Sequence, residues 1–430
     1  MPASFESKER QSLPSVSVQD LRVGMYVHLN CSWFLHPFSR QHFQLTSDSQ
    51  ITTIRDLGLS SILFDPSRST PESLEQIDRA PTADTGSVSA HAKDTVNRIG
   101  CSQPVSPTPS STEALQADQS EEKFRDTLQQ AARTYEEAAR HFTAAVGELH
   151  VGSENGMAAA KAVTNTLARV LFNTDLAGSV VALLDAPVME ERDVLHALNV
   201  SVLAMMVGQQ FALSGEDIKI LGIGALLHDI GERHLPRDGY REHPSRGVKL
   251  LSTLSSFPHE ALRMIESHHE RIDGSGYPDQ LQEEYLSFFT KILMVVDEYD
   301  LLINHDDPQH RMTQAEALSH LYRTARATLP SDVIAALIQT LTVYPPGTIV
   351  ELVNGAYALV LNINRAARMR PLVLLYLAHP EGEAPVIIDL MRDRTRSIAH
   401  RPPLSGVPPR IRAYLSMQRW MPYFLSAAGT

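Results

Sequence analysis

The period of the hydrophobic positions changes several times along the chain, and each change marks a segment. From Val16 to Pro66, short apolar runs alternate with turn residues around one helix-like stretch near Ile51 to Leu57, which predicts a small α+β module. From Ser67 to Thr112 the chain is dense in Ser, Thr, Pro, Asp and Ala, with almost no large apolar residue to bury. A flexible linker is expected there, ending in PVSPTPSSTEAL. Glu113 to Leu149 contains no proline, and Phe124, Leu128, Ala131, Tyr135, Ala138 and Phe142 recur at spacings of three and four. That spacing predicts an amphipathic helix that pairs with another helix or packs on the next domain.

Between Asn155 and Thr342 the pattern is helical almost throughout, with a capping signal where Ser214 precedes Glu216 and Asp217. After Tyr344-Pro345-Pro346-Gly347 it turns β-rich in TIVELVNGAYALVLNINR and PLVLLYLAHPEGEAPVIIDL, with Asn354-Gly355 placed as a hairpin turn. The tail beyond Met391 is rich in Arg and Pro and is expected to be partly disordered. The reading is a mainly α protein: an all-α domain with a small α+β N-terminal module and a small C-terminal β appendage. Its expected parts are a module over 14–68, a linker over 69–112, a connecting helix over 113–150, the helical domain over 151–344, the β appendage over 345–392 and a basic tail over 393–430.

Length and charge narrow the function. A chain of 430 residues exceeds what one core usually organises, and a net charge of −12 disfavours non-specific binding to nucleic acid or anionic membrane. A polyanionic substrate must then meet local positive charge or metal. No stretch approaches the length of a membrane span, and MPASFESKERQS lacks the apolar region of a signal peptide, so a cytoplasmic location is expected. Cys31 and Cys101 lie in dissimilar segments and cannot form a Cys-based zinc site by themselves. Trp33, His36, Pro37 and Phe38 are candidates for a binding surface in the first module, although such residues near strands are more often core or turn.

The 18 histidines are the unusual entry in the composition, and most fall in the helical domain. LGIGALLHDIGE sets His228 and Asp229 at the end of an apolar helix, where an unpaired carboxylate would cost several kcal/mol to bury; a divalent metal supplies the partner. ESHHERIDGSGYP puts His268 and His269 side by side before a Gly-rich turn, and KILMVVDEYDLL buries Asp297 in another apolar helix. His196 stands in VLHALNVSVLAM and His243 in REHPSRGVKLL. One histidine on an apolar face is usually a satisfied core residue, but a set of His and Asp at helix ends and apolar faces suits a helical di-metal site.

Together these residues resemble the HD-GYP family, a branch of the HD metal-dependent phosphohydrolases that degrades cyclic di-GMP. HDIG, HHERIDGSGYP and VVDEYD occur in family order over about Asn155 to Tyr344, and LRVGMYVHLNCSWFLHPF to LGLSSILFDP resembles the domain of unknown function often found ahead of it. The resemblance implies that His196, His228, Asp229 and Asp297 hold one metal, with Asp229 bridging to a second held by His243, His268 and His269. The mixed imidazole and carboxylate set suits iron or manganese, with zinc and nickel left open. Such a pair supports in-line hydrolysis of a phosphodiester, giving pGpG and in some members GMP. Gly274 and Gly276 would allow the sharp turn, while Tyr277 and Pro278 shape a substrate pocket or docking surface. Lys291 stands where the family often has Arg, as a substrate-binding and catalytic cation.

Three departures bear on activity. The Lys that usually follows HDIG is Glu232, read here as an extra metal ligand or a general acid. The interval from Glu232 to His243 is short, and Arg192 occupies the position one turn before His196 where three-metal members have Glu, which favours two metals. Asp300 is expected to orient a ligand or cap a helix. The alternatives are a weakened module that binds cyclic di-GMP or a partner protein, and a hydrolase of another cyclic dinucleotide. The basic tail is read as solvated, with an acidic partner such as a diguanylate cyclase (GGDEF) domain as the other option. A homodimer is left open.

Overall fold

A computed structural model describes residues 13–29, 42–56, 61–70, 111–184, 191–232, 237–342, 344–364, 367–377 and 385–426. Cys31, Cys101, Trp33, His36, Pro37, Phe38 and nearly all of the expected linker lie outside these residues. The chain divides into two compact units, Met1–Thr108 and Pro109–Thr430.

In the first unit, β1 (Ser15–Ser17), β2 (Tyr26–His28), β3 (His42–Gln44) and β4 (Ser61–Asp65) form an antiparallel sheet in the order β1-β4-β2-β3, and α1 spans Asp48–Asp56. Val27 stands opposite both Phe43 and Phe64, and Val16 opposite Ile62, so the period-2 apolar positions share one face. That face buries Val16, Val27, Ile62 and Phe64 with Ile51 and Ile54 of α1, as the alternation of this segment requires.

The second unit opens with α2, Ser111–His150, two residues earlier than the expected start at 113. Its stripe from Phe124 to Phe142 is buried as predicted, packed along α3 (Glu154–Phe172) and α4 (Thr174–Leu183). The helical body continues with α5 (Arg192–Gln210), α6 (Gly215–Leu226), α7 (His243–Leu251), α8 (His259–Ser267), α9 (Phe288–Ile303), α10 (Gln314–Arg323) and α11 (Ser331–Leu341). Ser214 caps α6 by accepting the Asp217 amide at 3.1 Å. Helices α5, α6, α8 and α9 pack on one another, which brings the ends of α6 and α8 beside the middle of α9.

The C-terminal sheet differs from the expected boundaries. β5 (Ile349–Leu352), β6 (Tyr357–Asn362), β7 (Leu372–Leu375) and β8 (Ile387–Asp389) are joined past residue 392 by β9 (Ile398–His400), in the order β8-β7-β6-β5-β9. The hairpin at Asn354-Gly355 is present, with Gly355 at φ +81°. Nor are the described residues of the tail an irregular coil. Helices α12 (Pro409–Tyr414) and α13 (Met417–Leu425) bury Trp420, Met421 and Phe424. Phe424 meets Phe124 edge-on at 5.1 Å, and the Tyr423 hydroxyl donates to Glu121 of α2 at 2.8 Å. The Arg and Pro content of the tail concealed a short apolar face that α2 supplies with a partner.

Candidate metal centre

Three of the histidines are held in the same way at helix ends. Nδ1 of His228, His243 and His268 contacts the carbonyl three residues earlier: Ala225 at 2.8 Å, Tyr240 at 2.7 Å and Ile265 at 2.8 Å. The Ala225 and Ile265 carbonyls lie in the last turns of α6 and α8, where carbonyls lack an intrahelical partner, and Tyr240 lies in the 3-10 turn Arg237–Glu242 before α7, so these rings complete the backbone while being oriented by it. A carbonyl can only accept, so each Nδ1 carries its hydrogen, and Nε2 is the atom left to take either a second proton or a metal ion. His196, on the exposed-to-core boundary of α5, is oriented by a carboxylate instead, with Nδ1 2.8 Å from Asp300 Oδ2.

All these Nε2 atoms converge. His196 Nε2 lies 3.3 Å from His228 Nε2, and His243 Nε2 lies 3.1 Å from His268 Nε2 and 3.2 Å from His269 Nε2. Asp297 Oδ1 is 3.2 Å from His196 and 3.6 Å from His228. Asp229 stands between the two groups: Oδ2 faces His228 at 3.1 Å and His196 at 3.6 Å, and Oδ1 faces His243 at 3.2 Å and His268 at 3.5 Å. Two sets of ligand atoms therefore lie within 4.8 Å of one another, Asp229 with His243, His268 and His269, and His196 with His228 and Asp297.

This arrangement fits metal. Nitrogen lone pairs aimed at each other repel unless a cation lies among them, and Asp229 Oδ1 is buried without a hydrogen-bond donor. The electrostatics agree. Burial pulls His228 down, but Asp229 and Asp297 outweigh it and raise the ring to about 10; His196 is likewise carried well above its ordinary value by Asp297 and Asp300. Burial pushes Asp297 up, yet His196 and His228 hold it below the usual carboxylate range. In the other half, burial lowers His268, and burial with the neighbouring His268 takes His269 down to about 2. Neutral imidazoles stand ready on one side, and on the other a proton occupies the place a cation would take.

Supporting residues fix these ligands. Asp300 is fully buried, and its Oδ1 accepts from Asn199 at 2.9 Å and Asn304 at 2.8 Å; both amides also donate to the Leu184 carbonyl. Gly231 lets the turn after Asp229 touch α7, because a Cβ there would collide with the His243 carbonyl oxygen and lie 2.6 Å from the Gly247 nitrogen. Glu270, fully buried, accepts the Asp279 amide at 2.7 Å and the Leu281 amide at 2.9 Å, which folds the Gly-rich loop back over His269. Gly274 has φ +77°, and a Cβ on Gly276 would strike the Glu270 backbone. Tyr277 is joined to exposed Pro278 by a cis bond and stacks on His269 at 4.6 Å, with the Arg241 guanidinium 5.0 Å from its ring centre.

The remaining candidates sit apart from the ligand sets. Glu232 is not among the converging ligand atoms; burial first, then Asp229, raises its carboxyl, and the Tyr240 hydroxyl hydrogen-bonds to it. Lys291 pairs with Glu283 at 3.3 Å rather than with the cluster. Arg192 bonds Asp306 at 3.1 Å, and Glu191 accepts from Thr143 at 3.2 Å. Asn199, Gly231, Glu270, Tyr240 and Arg241 were not singled out from sequence. Asn199 had one signal, its position three residues after His196 on the same helix face.

Residues 13–160 match the family described as a domain of unknown function (DUF3391), and residues 181–329 match the HD domain family, a span that contains every candidate ligand from His196 to Asp297. A cyclic di-GMP phosphodiesterase of Pseudomonas aeruginosa is 25% identical over 404 residues, covering 88% of this chain and 89% of its own. A cyclic di-GMP phosphodiesterase response regulator of Xanthomonas campestris is 32% identical over 137 residues, covering 28% of this chain and 36% of its own. A 3′3′-cGAMP-specific phosphodiesterase of Vibrio cholerae is 29% identical over 164 residues, covering 35% of each.

Proposed function

We propose that this chain, in which a DUF3391 module precedes an HD domain, is a metal-dependent phosphodiesterase that hydrolyses cyclic di-GMP to pGpG, and onward to GMP if the linear product rebinds. The observation that carries the reading is one carboxylate, Asp229, shared between two convergent ligand sets. His196, His228 and Asp297 would hold one ion and His243, His268 and His269 the other, with iron or manganese the suited metals. Two divalent ions supply Lewis acidity toward the phosphodiester and an activated water.

The chain's own groups do the rest. Asp300, Asn199 and Asn304 fix the His196 ring, and the carbonyls behind His228, His243 and His268 fix the others, so the ligand atoms need no reorganisation when substrate arrives. Glu232, whose carboxyl is raised by burial and which accepts the Tyr240 hydroxyl, is the group placed to act as general acid toward the leaving 3′ oxygen. Arg241, over Tyr277, is the cation that meets phosphate in place of the Lys absent at position 232, because Lys291 is engaged by Glu283. Gly274 and Gly276 shape the loop and Tyr277 its wall, leaving Pro278 at the rim.

Among the described residues no single helix is long and apolar enough to cross a membrane. The reading implies a cytoplasmic protein acting on a diffusible nucleotide, with GGDEF domains as the partner class. A nucleotide-binding module without turnover is the second reading, favoured by Glu232 standing where a cation is usual. The test is metal-reconstituted protein incubated with cyclic di-GMP and, separately, with 3′3′-cGAMP, products being resolved chromatographically beside equilibrium binding. Appearance of pGpG supports the proposal. Binding without cleavage by protein holding both ions refutes it, and faster cleavage of 3′3′-cGAMP reassigns the substrate.

A further inference from the structure

A cavity of about 240 Å³ lies away from the metal ligands, lined by Met206, Gln209 and Gln210 of the last turn of α5, Thr340 and Thr342 at the end of α11, and Arg368 of the β6–β7 connection. Two of its polar groups are incompletely used. Thr342 is 3% exposed, and its hydroxyl has no hydrogen-bond partner. Its backbone is held at φ +70°, a region that β-branched residues rarely enter. The Arg368 guanidinium makes one long contact, 3.4 Å to Gln210 Oε1, and among the described residues no carboxylate pairs with it.

The other groups at this wall are already committed. Gln210 donates to Gln339 at 2.9 Å, and Thr340 donates to the Ala336 carbonyl at 2.8 Å. Arg368 is half-buried, and burial lowers its pKa. A half-buried guanidinium without a counter-charge has free donors, a buried hydroxyl without an acceptor is costly, and one oxyanion satisfies both. The planar fork of Arg matches a carboxylate or phosphate, and the hydroxyl donates to one of its oxygens.

We infer that this cavity is a binding site for a small oxyanion, the carboxylate or phosphate group of a low-molecular-weight ligand, held by Arg368 and Thr342. Its occupant bridges the C-terminal sheet and α5, the helix whose first half carries His196 and Asn199.

The test is calorimetric titration of the metal-loaded full chain with inorganic phosphate and with malonate, at fixed ionic strength in chloride. Wild-type protein should show an anion-binding event that weakens roughly tenfold or more in Arg368→Gln, the loss expected when a charge-assisted hydrogen bond is removed. Thr342→Val keeps shape and charge and should weaken the same event several-fold, which guards against a folding defect in the Arg variant. Phosphate that still binds in both variants belongs to the metal centre. Preference for malonate identifies a carboxylate ligand, and preference for phosphate a phosphorylated one. If both variants bind both anions as the wild type does, or neither anion binds outside the metal centre, the inference is overturned. It does not depend on phosphodiesterase activity.

Discussion

Replacing Asp300 by Asn alters no shape at the site yet should separate its two halves. The Asp300 carboxylate receives three hydrogen bonds, from His196 Nδ1 at 2.8 Å, Asn199 at 2.9 Å and Asn304 at 2.8 Å, in a fully buried position. An Asn amide has one acceptor and one donor end. If its NH₂ faces His196, two donors meet unless the imidazole shifts its hydrogen to Nε2, the atom that must be free to bind metal. If the amide is reversed, its NH₂ opposes those of Asn199 and Asn304. Either way a charge-assisted hydrogen bond is lost, worth about 1.5 to 3 kcal/mol, or roughly 10- to 150-fold in the affinity of the ion held by His196, His228 and Asp297. Asp300 bonds none of His243, His268 and His269, so an ion held by them should lose much less. Metal titration with stoichiometry from elemental analysis reads both constants, and a thermal melt checks that the fold persists. Wild-type affinity at both sites would falsify the idea that Asp300 sets the His196 tautomer.

Three further outcomes are expected. Gly231→Ala drives a Cβ into the His243 carbonyl, a backbone group that cannot swing aside, so the turn must part from α7; protein retaining two ions and an unchanged urea midpoint would refute this contact. Glu232→Gln should lower kcat about a hundredfold with little metal loss, whereas a rise in kcat/KM for Glu232→Lys would show the carboxylate to be merely repulsive. The two ions should also differ in pH dependence. Because His228 sits near 10 in metal-free protein, metal there displaces a proton, and affinity should rise about tenfold per pH unit for each proton displaced up to that value. His269, already neutral with a value near 2, gives no such slope over neutral pH; equal slopes for both ions in a titration from pH 6 to 8 would contradict the assignment.

The sequence alone determined the parts that depend on local pattern. The apolar stripe from Phe124 to Phe142, the cap at Ser214 and the hairpin at Asn354-Gly355 are set by spacing and turn chemistry within a few residues, and each is present. It also identified the seven metal-ligand candidates, because His and Asp at apolar helix ends are expensive without a shared cation. What it could not supply was distance between segments. That Asp229 faces both ligand sets, that Lys291 is spent on Glu283, and that Arg241 and Tyr240 come to the site instead follow from how α5, α6, α7 and α9 pack. Gly231 and Asn199 look ordinary in the sequence, one a small residue in a turn and the other a polar residue in a helix. Their meaning comes from a backbone and a carboxylate brought to them by other helices. The tail shows the same limit: Trp420 and Phe424 form a core only because α2 offers a face to receive them, and contacts between residues some three hundred positions apart leave no local periodicity.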